Sequence, residues 1–99
     1  MKLEDDKYCF ACGSNNPIGL KLNFEYDENG VKIAFTPVKE HQGWHNVTHG
    51  GIISTLIDEA MANIIIHSGR FAVTSSMEVR FLRPANTGEE LIVTGRIKS

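Results

Sequence analysis

The chain has 99 residues, a length that suits one small domain. It carries 10 Lys and Arg against 12 Asp and Glu, and the resulting formal charge of −2 argues against a nucleic-acid partner. Its 41% hydrophobic content is typical of globular proteins, and no apolar run reaches the roughly 20 residues that a membrane-spanning helix requires. The acidic start lacks the features of a targeting signal, so we expect a cytoplasmic protein.

Two strands are predicted in the first third of the chain. Hydrophobic and polar residues alternate over 20–26 and again over 31–35, which is the period of half-buried strands. Asn29-Gly30 between them favours the tight turn of a β-hairpin, and Pro37 ends the second strand. Residues 38–48 show no periodicity, so we expect a loop of functional importance with Trp44 packed beneath it.

A long helix is predicted over 50–67, followed by two further strands over 71–81 and from Leu91 onward. The order ββαββ predicts one α+β domain over 1–99, with the helix against an antiparallel sheet and an open sheet edge at 91–97. The helix should bury one broad apolar face, made of Ile53, Leu56, Ile57, Ala60, Met61 and Ile64.

Asp58 is the first candidate for chemistry, because aspartate is unfavourable in a helix interior and here lies about two turns in. Helical geometry predicts that it lies at the border of the apolar face, where partial loss of water makes a carboxylate more basic. Such a group suits a general base or a nucleophile. The alternative is a solvated surface aspartate. Glu59 is a weaker candidate, since it points to the more polar side of the helix.

His49-Gly50-Gly51 at the helix start is the second candidate. A helix N-terminus offers unpaired N–H groups, and glycines let a ligand approach them closely. Those N–H groups could stabilise the negative charge on a carbonyl oxygen under attack. Alternatively, the glycines only permit a tight entry into the helix. Because Gly51 and Asp58 lie about 10 Å apart along one axis, a shared site requires two antiparallel copies of the helix.

Cys9 and Cys12 form a lone Cys-x-x-Cys pair. Structural zinc needs four ligands, and the next candidates are three distant residues in a stretch whose glycines argue against a helix: His41, His45 and His49. A redox pair is disfavoured because no strand precedes it. We therefore predict no metal site and leave the role of the pair open.

Several short motifs in the chain resemble one known family. They are His41-Gln42-Gly43, His49-Gly50-Gly51, Leu56-Ile57-Asp58-Glu59-Ala60, Val73-Thr74 and Phe81-Leu82-Arg83-Pro84. From about residue 16 to the end they resemble the hotdog-fold acyl-CoA thioesterases of the 4-hydroxybenzoyl-CoA thioesterase superfamily, PaaI-like branch. The spacing from His-Gly-Gly to Asp is the most specific part. The resemblance implies a hotdog fold from which the last strands are missing.

The resemblance also implies roles for individual residues. Asp58 would be the base or nucleophile, Gly51 would polarise the thioester carbonyl, and Thr74 would position the attacking water. His49 would hold the turn or the substrate. Further substrate contacts are expected from Gly50, His41, Asn46 and Arg83.

The predicted function is hydrolysis of an acyl-CoA thioester, without metal or cofactor, by a homodimer or homotetramer with its site between subunits. Two alternatives remain open. One is a hotdog module that binds acyl-CoA without cleaving it. The other is a hotdog dehydratase or hydratase that uses His49 beside a carboxylate.

Overall fold

The computed structural model describes residues 3–28, 30–68, 76–81 and 85–98. These described residues form one long helix and four strands in the predicted order ββαββ. Their bounds are β1 (Phe24–Tyr26), β2 (Gly30–Phe35), α1 (Gly50–Ser68), β3 (Ser76–Phe81) and β4 (Leu91–Lys98). A single 3₁₀ turn, Lys39–His41, stands between β2 and α1.

The four strands form one antiparallel sheet in the order β1-β2-β4-β3. The predicted hairpin is confirmed, with Phe24 opposite Ile33. The open edge predicted at 91–97 is wrong, because β4 pairs with β2 on one side and β3 on the other. The order of the strands along the chain did not predict this arrangement, because the last strand, β4, lies between β2 and β3 in the sheet. Among the described strands, the sheet ends at β1 and β3.

The first strand is shorter than its hydrophobic pattern predicts. Leu20 and Leu22 are buried, but Lys21 between them has a φ of 52°, which interrupts the extended backbone. The N–H groups of Leu20 and Leu22 donate to the carbonyl oxygens of Phe10 and Ala11, at 2.8 and 2.9 Å. The alternating burial therefore belongs to an irregular N-terminal segment, residues 8–22, and not to the sheet.

Helix α1 lies across β2 and β4 and also contacts β3. Its fully buried side chains form a stripe of Leu56, Ala60 and Ile64, narrower than the predicted face. Met61 is 43% exposed, so its predicted burial is not seen in the single chain. Gly95 in β4 lets the helix approach closely, since a Cβ there would lie 2.7 Å from Cδ1 of Ile64.

The remainder of the core comes from β2, β4 and the N-terminal segment. The largest fully buried side chains besides Leu56 are Ile33, Leu91, Val93 and Pro37. Trp44 is 84% exposed, which contradicts its predicted packing beneath the loop. Backbone hydrogen bonds, and not the indole ring, join that loop to residues 85–88. Within the described residues, no helix combines the length and the hydropathy that crossing a membrane requires.

The buried stripe of α1 should dominate the stability of the fold. We expect Leu56→Ala to lower the free energy of unfolding by about 2–5 kcal/mol, because it leaves a cavity between helix and sheet. The matched variant Leu3→Ala, at a side chain that is 86% exposed, should change it by less than about 0.5 kcal/mol. Urea denaturation measures both values. Equal effects of the two substitutions would contradict this placement of the core.

Candidate active site at the helix N-terminus

The loop that leads into α1 is held by backbone hydrogen bonds, although its sequence shows no periodicity. The Thr48 N–H donates to the carbonyl oxygen of Ala85 at 2.8 Å, and the His49 N–H donates to that of His41 at 2.8 Å. Further along, the Gly88 N–H donates to the carbonyl oxygen of Pro37 at 2.7 Å. These contacts fix the position and direction in which the helix begins.

His49 is the N-cap of α1. Its carbonyl oxygen accepts from the N–H groups of Ile52 and Ile53, at 3.0 and 3.3 Å. Its side-chain Nδ1 accepts from the Gly51 N–H at 2.7 Å. This is the hydrogen bond that Ser, Asp or Asn usually supplies at an N-cap. His49 therefore holds the helix entry, and its ring accepts the hydrogen bond of the Gly51 N–H, the group expected to polarise a carbonyl oxygen.

Gly50 differs from Gly51 in what surrounds it. Among the described residues, nothing lies within 4 Å of a Cβ added at Gly50, and its N–H makes no hydrogen bond. A Cβ at Gly51 would lie 3.0 Å from Nδ1 of His49. The open backbone at the helix start thus lies at Gly50, while the backbone at Gly51 is covered by the His49 ring.

A cavity of about 280 Å³ adjoins this helix start and brings together three of the predicted site residues, His41, His49 and Gly51. The His41 ring lies against Phe35, with centroids 5.2 Å apart, and its Nδ1 accepts from the Val38 N–H at 3.0 Å. His41 is therefore fixed at the cavity wall by the loop that carries it.

Sequence reasoning missed five residues of the cavity wall: Phe10, Glu40, Gln42, Ile52 and Thr55. Thr55 could have been found from its spacing, because it lies one turn after Gly51 and its hydroxyl donates to the Gly51 carbonyl oxygen at 2.9 Å. Gln42 stands inside a motif already recognised. Phe10 belongs to the N-terminal segment, and no pattern in the sequence connects that segment to the helix.

Asn46 lines a different cavity, of about 350 Å³, between the loop and residues 87 and 88. Its φ is 60°, in the left-handed region that asparagine tolerates better than most residues. Its carbonyl oxygen accepts from the Thr87 N–H at 3.1 Å. Asn46 therefore shapes the loop, and the structure does not bring it to the cavity at the helix start.

Asp58 is exposed and does not line either cavity. The predicted partial burial is thus not seen in the single chain. At 100° per residue, Asp58 lies about 160° around the helix from the middle of the stripe of Leu56, Ala60 and Ile64, on the face turned away from its own sheet. It is also about 10 Å along the axis from Gly51, so one chain does not join the two groups.

Glu59 is half-buried, the reverse of what the helical pattern predicted. The Asn63 side-chain amide donates to its Oε2 at 3.3 Å and to its carbonyl oxygen at 2.8 Å. Tyr26 and the Cys9–Cys12 turn lie on the same flank of α1. The helical period alone could not predict that the N-terminal segment packs beside Glu59, because that segment has no periodicity.

The predicted site residues Thr74 and Arg83 lie outside the described residues.

The two cysteine thiols differ in acidity. The Cys12 N–H donates to Cys9 Sγ at 3.5 Å, and this hydrogen bond lowers the pKa of the Cys9 thiol. Partial burial of the sulfur, assisted by the neighbouring Cys9 and Glu59 side chains, raises the pKa of Cys12 to about 11. Both cysteines are free. The Cys9 thiol therefore loses its proton more readily than the Cys12 thiol.

Comparison with known proteins assigns the chain to a family. The family model of the thioesterase superfamily matches residues 45–99, more than half of the chain, including the capped helix start and Asp58. The chain belongs to the thioesterase superfamily. The hotdog fold and the family expected from the motifs are thereby confirmed.

Two relatives of this superfamily are similar over most of the chain. Acyl-coenzyme A thioesterase PaaI of Escherichia coli (strain K12) is 31% identical over 73% of this chain and 51% of its own length. Acyl-coenzyme A thioesterase 13 of Homo sapiens is 30% identical over 60% of this chain and 44% of its own length. The chain thus spans about half the length of these relatives. No solved structure matches it.

The capping role of His49 in this thioesterase-superfamily chain can be tested by substitution. We expect His49→Ala to lower the free energy of unfolding by about 1 kcal/mol, because the Gly51 N–H loses its acceptor. His49→Asn keeps an N-cap acceptor and should retain most of the stability. Chemical denaturation followed by circular dichroism measures both. If Asn destabilised the fold as much as Ala, the capping role would be contradicted.

Proposed function

We propose that the chain hydrolyses acyl-CoA thioesters at a site formed between two copies. Membership of the thioesterase superfamily supports thioester chemistry in general, and the relatives named as acyl-coenzyme A thioesterases support this substrate class. The observation that carries the proposal is the cavity at the start of α1, which is lined by Gly51 and the His49 ring at the helix N-terminus but not by Asp58 of the same chain. Asp58 of a second copy would supply the missing group.

The helix N-terminus would stabilise the oxygen of the thioester carbonyl. The Gly50 N–H is open, and the Gly51 N–H becomes a second donor once the His49 ring turns away from it. Two such donors, assisted by the positive end of the helix dipole, favour the negative charge that develops on this oxygen during attack. His49 thus keeps the donors in place before substrate arrives.

The exposure of Asp58 supports a role of this residue toward a partner chain. Asp58 is exposed on the helix face opposite the sheet, so a second α1 running antiparallel would bring it to the first helix start. The carboxylate would either remove a proton from water, which then attacks the carbonyl carbon, or attack that carbon itself. In both routes the carbon–sulfur bond breaks, and coenzyme A leaves as a thiolate that takes up a proton. In the second route the acyl group remains on Asp58 as a mixed anhydride, which water then hydrolyses to release the acid and restore the carboxylate.

Substrate contacts follow from the same geometry. His41 and Gly50 border the helix start, where the carbonyl and the adjoining acyl group would lie. Asn46 would act indirectly, by shaping the loop that carries His41. Thr74 as the residue that positions water, and Arg83 as a contact to the coenzyme, remain predictions from the motifs. Because the net charge is −2, attraction of an anionic coenzyme has to come from local cations.

A panel of acyl-CoAs tests the proposed activity directly. We expect the purified chain to release free thiol from at least one straight-chain or aromatic acyl-CoA. Asp58→Asn should lower kcat by about 100-fold or more, because the base or nucleophile is lost while the shape is kept. The control is Glu25→Gln, at an exposed carboxylate on β1, which should leave the rate unchanged.

Three outcomes of the same panel would contradict the proposed hydrolysis or the role of Asp58 in it. Tight binding of an acyl-CoA without thiol release would favour the non-catalytic binding module. Addition of water to an unsaturated acyl chain without thiol release would favour the hydratase. Equal kcat values for wild type and Asp58→Asn would remove Asp58 from the chemistry.

A further inference from the structure

The N-terminal turn that carries the two cysteines lies against the middle of α1. Sγ of Cys9, Sγ of Cys12 and a carboxylate oxygen of Glu59 all lie within 4.8 Å of one another. The three residues come from two segments that are far apart in sequence. Neither the cavity at the helix start nor the proposed hydrolysis uses any of them, and the cysteines lie outside the residues that the family model matches.

The cysteine turn is rigid because of its backbone. The Gly13 N–H donates to the Cys9 carbonyl oxygen at 2.9 Å, and the Asn15 N–H donates to that of Lys7 at 2.9 Å. A Cβ at Gly13 would lie 2.7 Å from both of these carbonyl oxygens, so only glycine fits this position. The turn therefore presents both sulfur atoms to the same side.

The Glu59 carboxylate is held in place from its own helix. Its Oε2 accepts from the Asn63 amide at 3.3 Å, and Oδ1 of Asn63 accepts from the Tyr26 hydroxyl at 3.2 Å. Metal-binding side chains are typically oriented by such outer hydrogen bonds. The chain Tyr26–Asn63–Glu59 leaves the other carboxylate oxygen of Glu59 available to a ligand.

We propose that Cys9, Cys12 and Glu59 bind one zinc-type divalent cation, with water completing a tetrahedral site. Two thiolates and a carboxylate match the sulfur and oxygen ligands that zinc accepts, and softer cations such as cadmium fit the same pair of sulfurs. Tetrahedral zinc places two sulfur ligands about 3.8 Å apart, so the cluster has to contract by about 1 Å at most.

From the sequence we expected no metal site, because the nearest further ligands along the chain were distant histidines. The fold instead brings a carboxylate of α1 to the two cysteines. The cation would join the N-terminal segment to the helix one residue from Asp58 and would stabilise the folded chain. It takes no part in the thioester chemistry, so its binding can be measured separately from hydrolysis.

Metal binding to the full reduced chain tests the proposal. Equilibrium dialysis against zinc should give one bound ion per chain, and cobalt should produce the intense near-ultraviolet absorption of thiolate coordination. Cys9→Ser and Glu59→Gln should each weaken zinc binding by about 100-fold or more, since loss of a ligand exceeds the 10–100-fold typical of an outer hydrogen bond. Free zinc at about 100 times its Kd should raise the Tm of the chain by about 10 °C.

Asp58→Asn is the matched control, because it removes the neighbouring carboxylate on the same helix. It should bind zinc like wild type even though hydrolysis fails, and circular dichroism of each variant verifies that α1 is intact. Three results would overturn the proposal: less than one tenth of an ion per reduced chain, cobalt spectra without thiolate bands, or equal zinc affinities of wild type and Glu59→Gln. Rapid formation of a Cys9–Cys12 disulfide in the presence of zinc would overturn it as well.

Discussion

Helix α1 carries both chemical groups of the proposed thioesterase site, and its own geometry keeps them apart. The open N-terminus at Gly50 and Gly51 and the Asp58 carboxylate are separated by about two turns, or about 10 Å along the axis. Because Gly51 and Asp58 are seven residues apart, they lie within about 20° of each other around the helix, on the side that faces away from the sheet. A straight helix offers no way to close this gap, so the proposed chemistry depends on a second copy of the same helix.

The packing of the helix determines which groups a partner can reach. Leu56, Ala60 and Ile64 fix one face of α1 on β2 and β4, where Gly95 allows close approach. The His49 ring closes the helix start, and the loop around His41 forms the cavity wall beside it. The N-terminal segment covers a third flank at Glu59. The face left uncovered within the described chain is the one that presents Asp58.

The sequence was sufficient for the parts of the fold that follow a regular period. The helix, the hairpin of β1 and β2, and the order ββαββ could all be predicted, because alternation and helical spacing report burial against one surface. The separation of Gly51 from Asp58 followed from helical rise alone. The family could be recognised because the His-Gly-Gly motif and Asp58 stand at a fixed distance along that helix.

Features that depend on irregular backbone could not be predicted in this way. The position of β4 inside the sheet, the exposure of Trp44, and the cover over Glu59 each depend on contacts between distant segments. The left-handed residues Lys21 and Asn46 mark two of the places where the backbone departs from a regular period. His49 was expected to hold the turn or the substrate, but the hydrogen bond that its ring accepts from the Gly51 N–H depends on the orientation of that ring.

Subunit complementation tests the shared site most directly. Asp58→Asn and Gly51→Val, each inactive alone, are given different affinity tags, exchanged by unfolding and refolding together, and purified as mixed dimers. If the helix start of one copy works with Asp58 of the other, each mixed dimer has one intact site and should show about half of wild-type kcat. Mixed dimers as inactive as the two parents, with intact helical circular dichroism, would contradict the account.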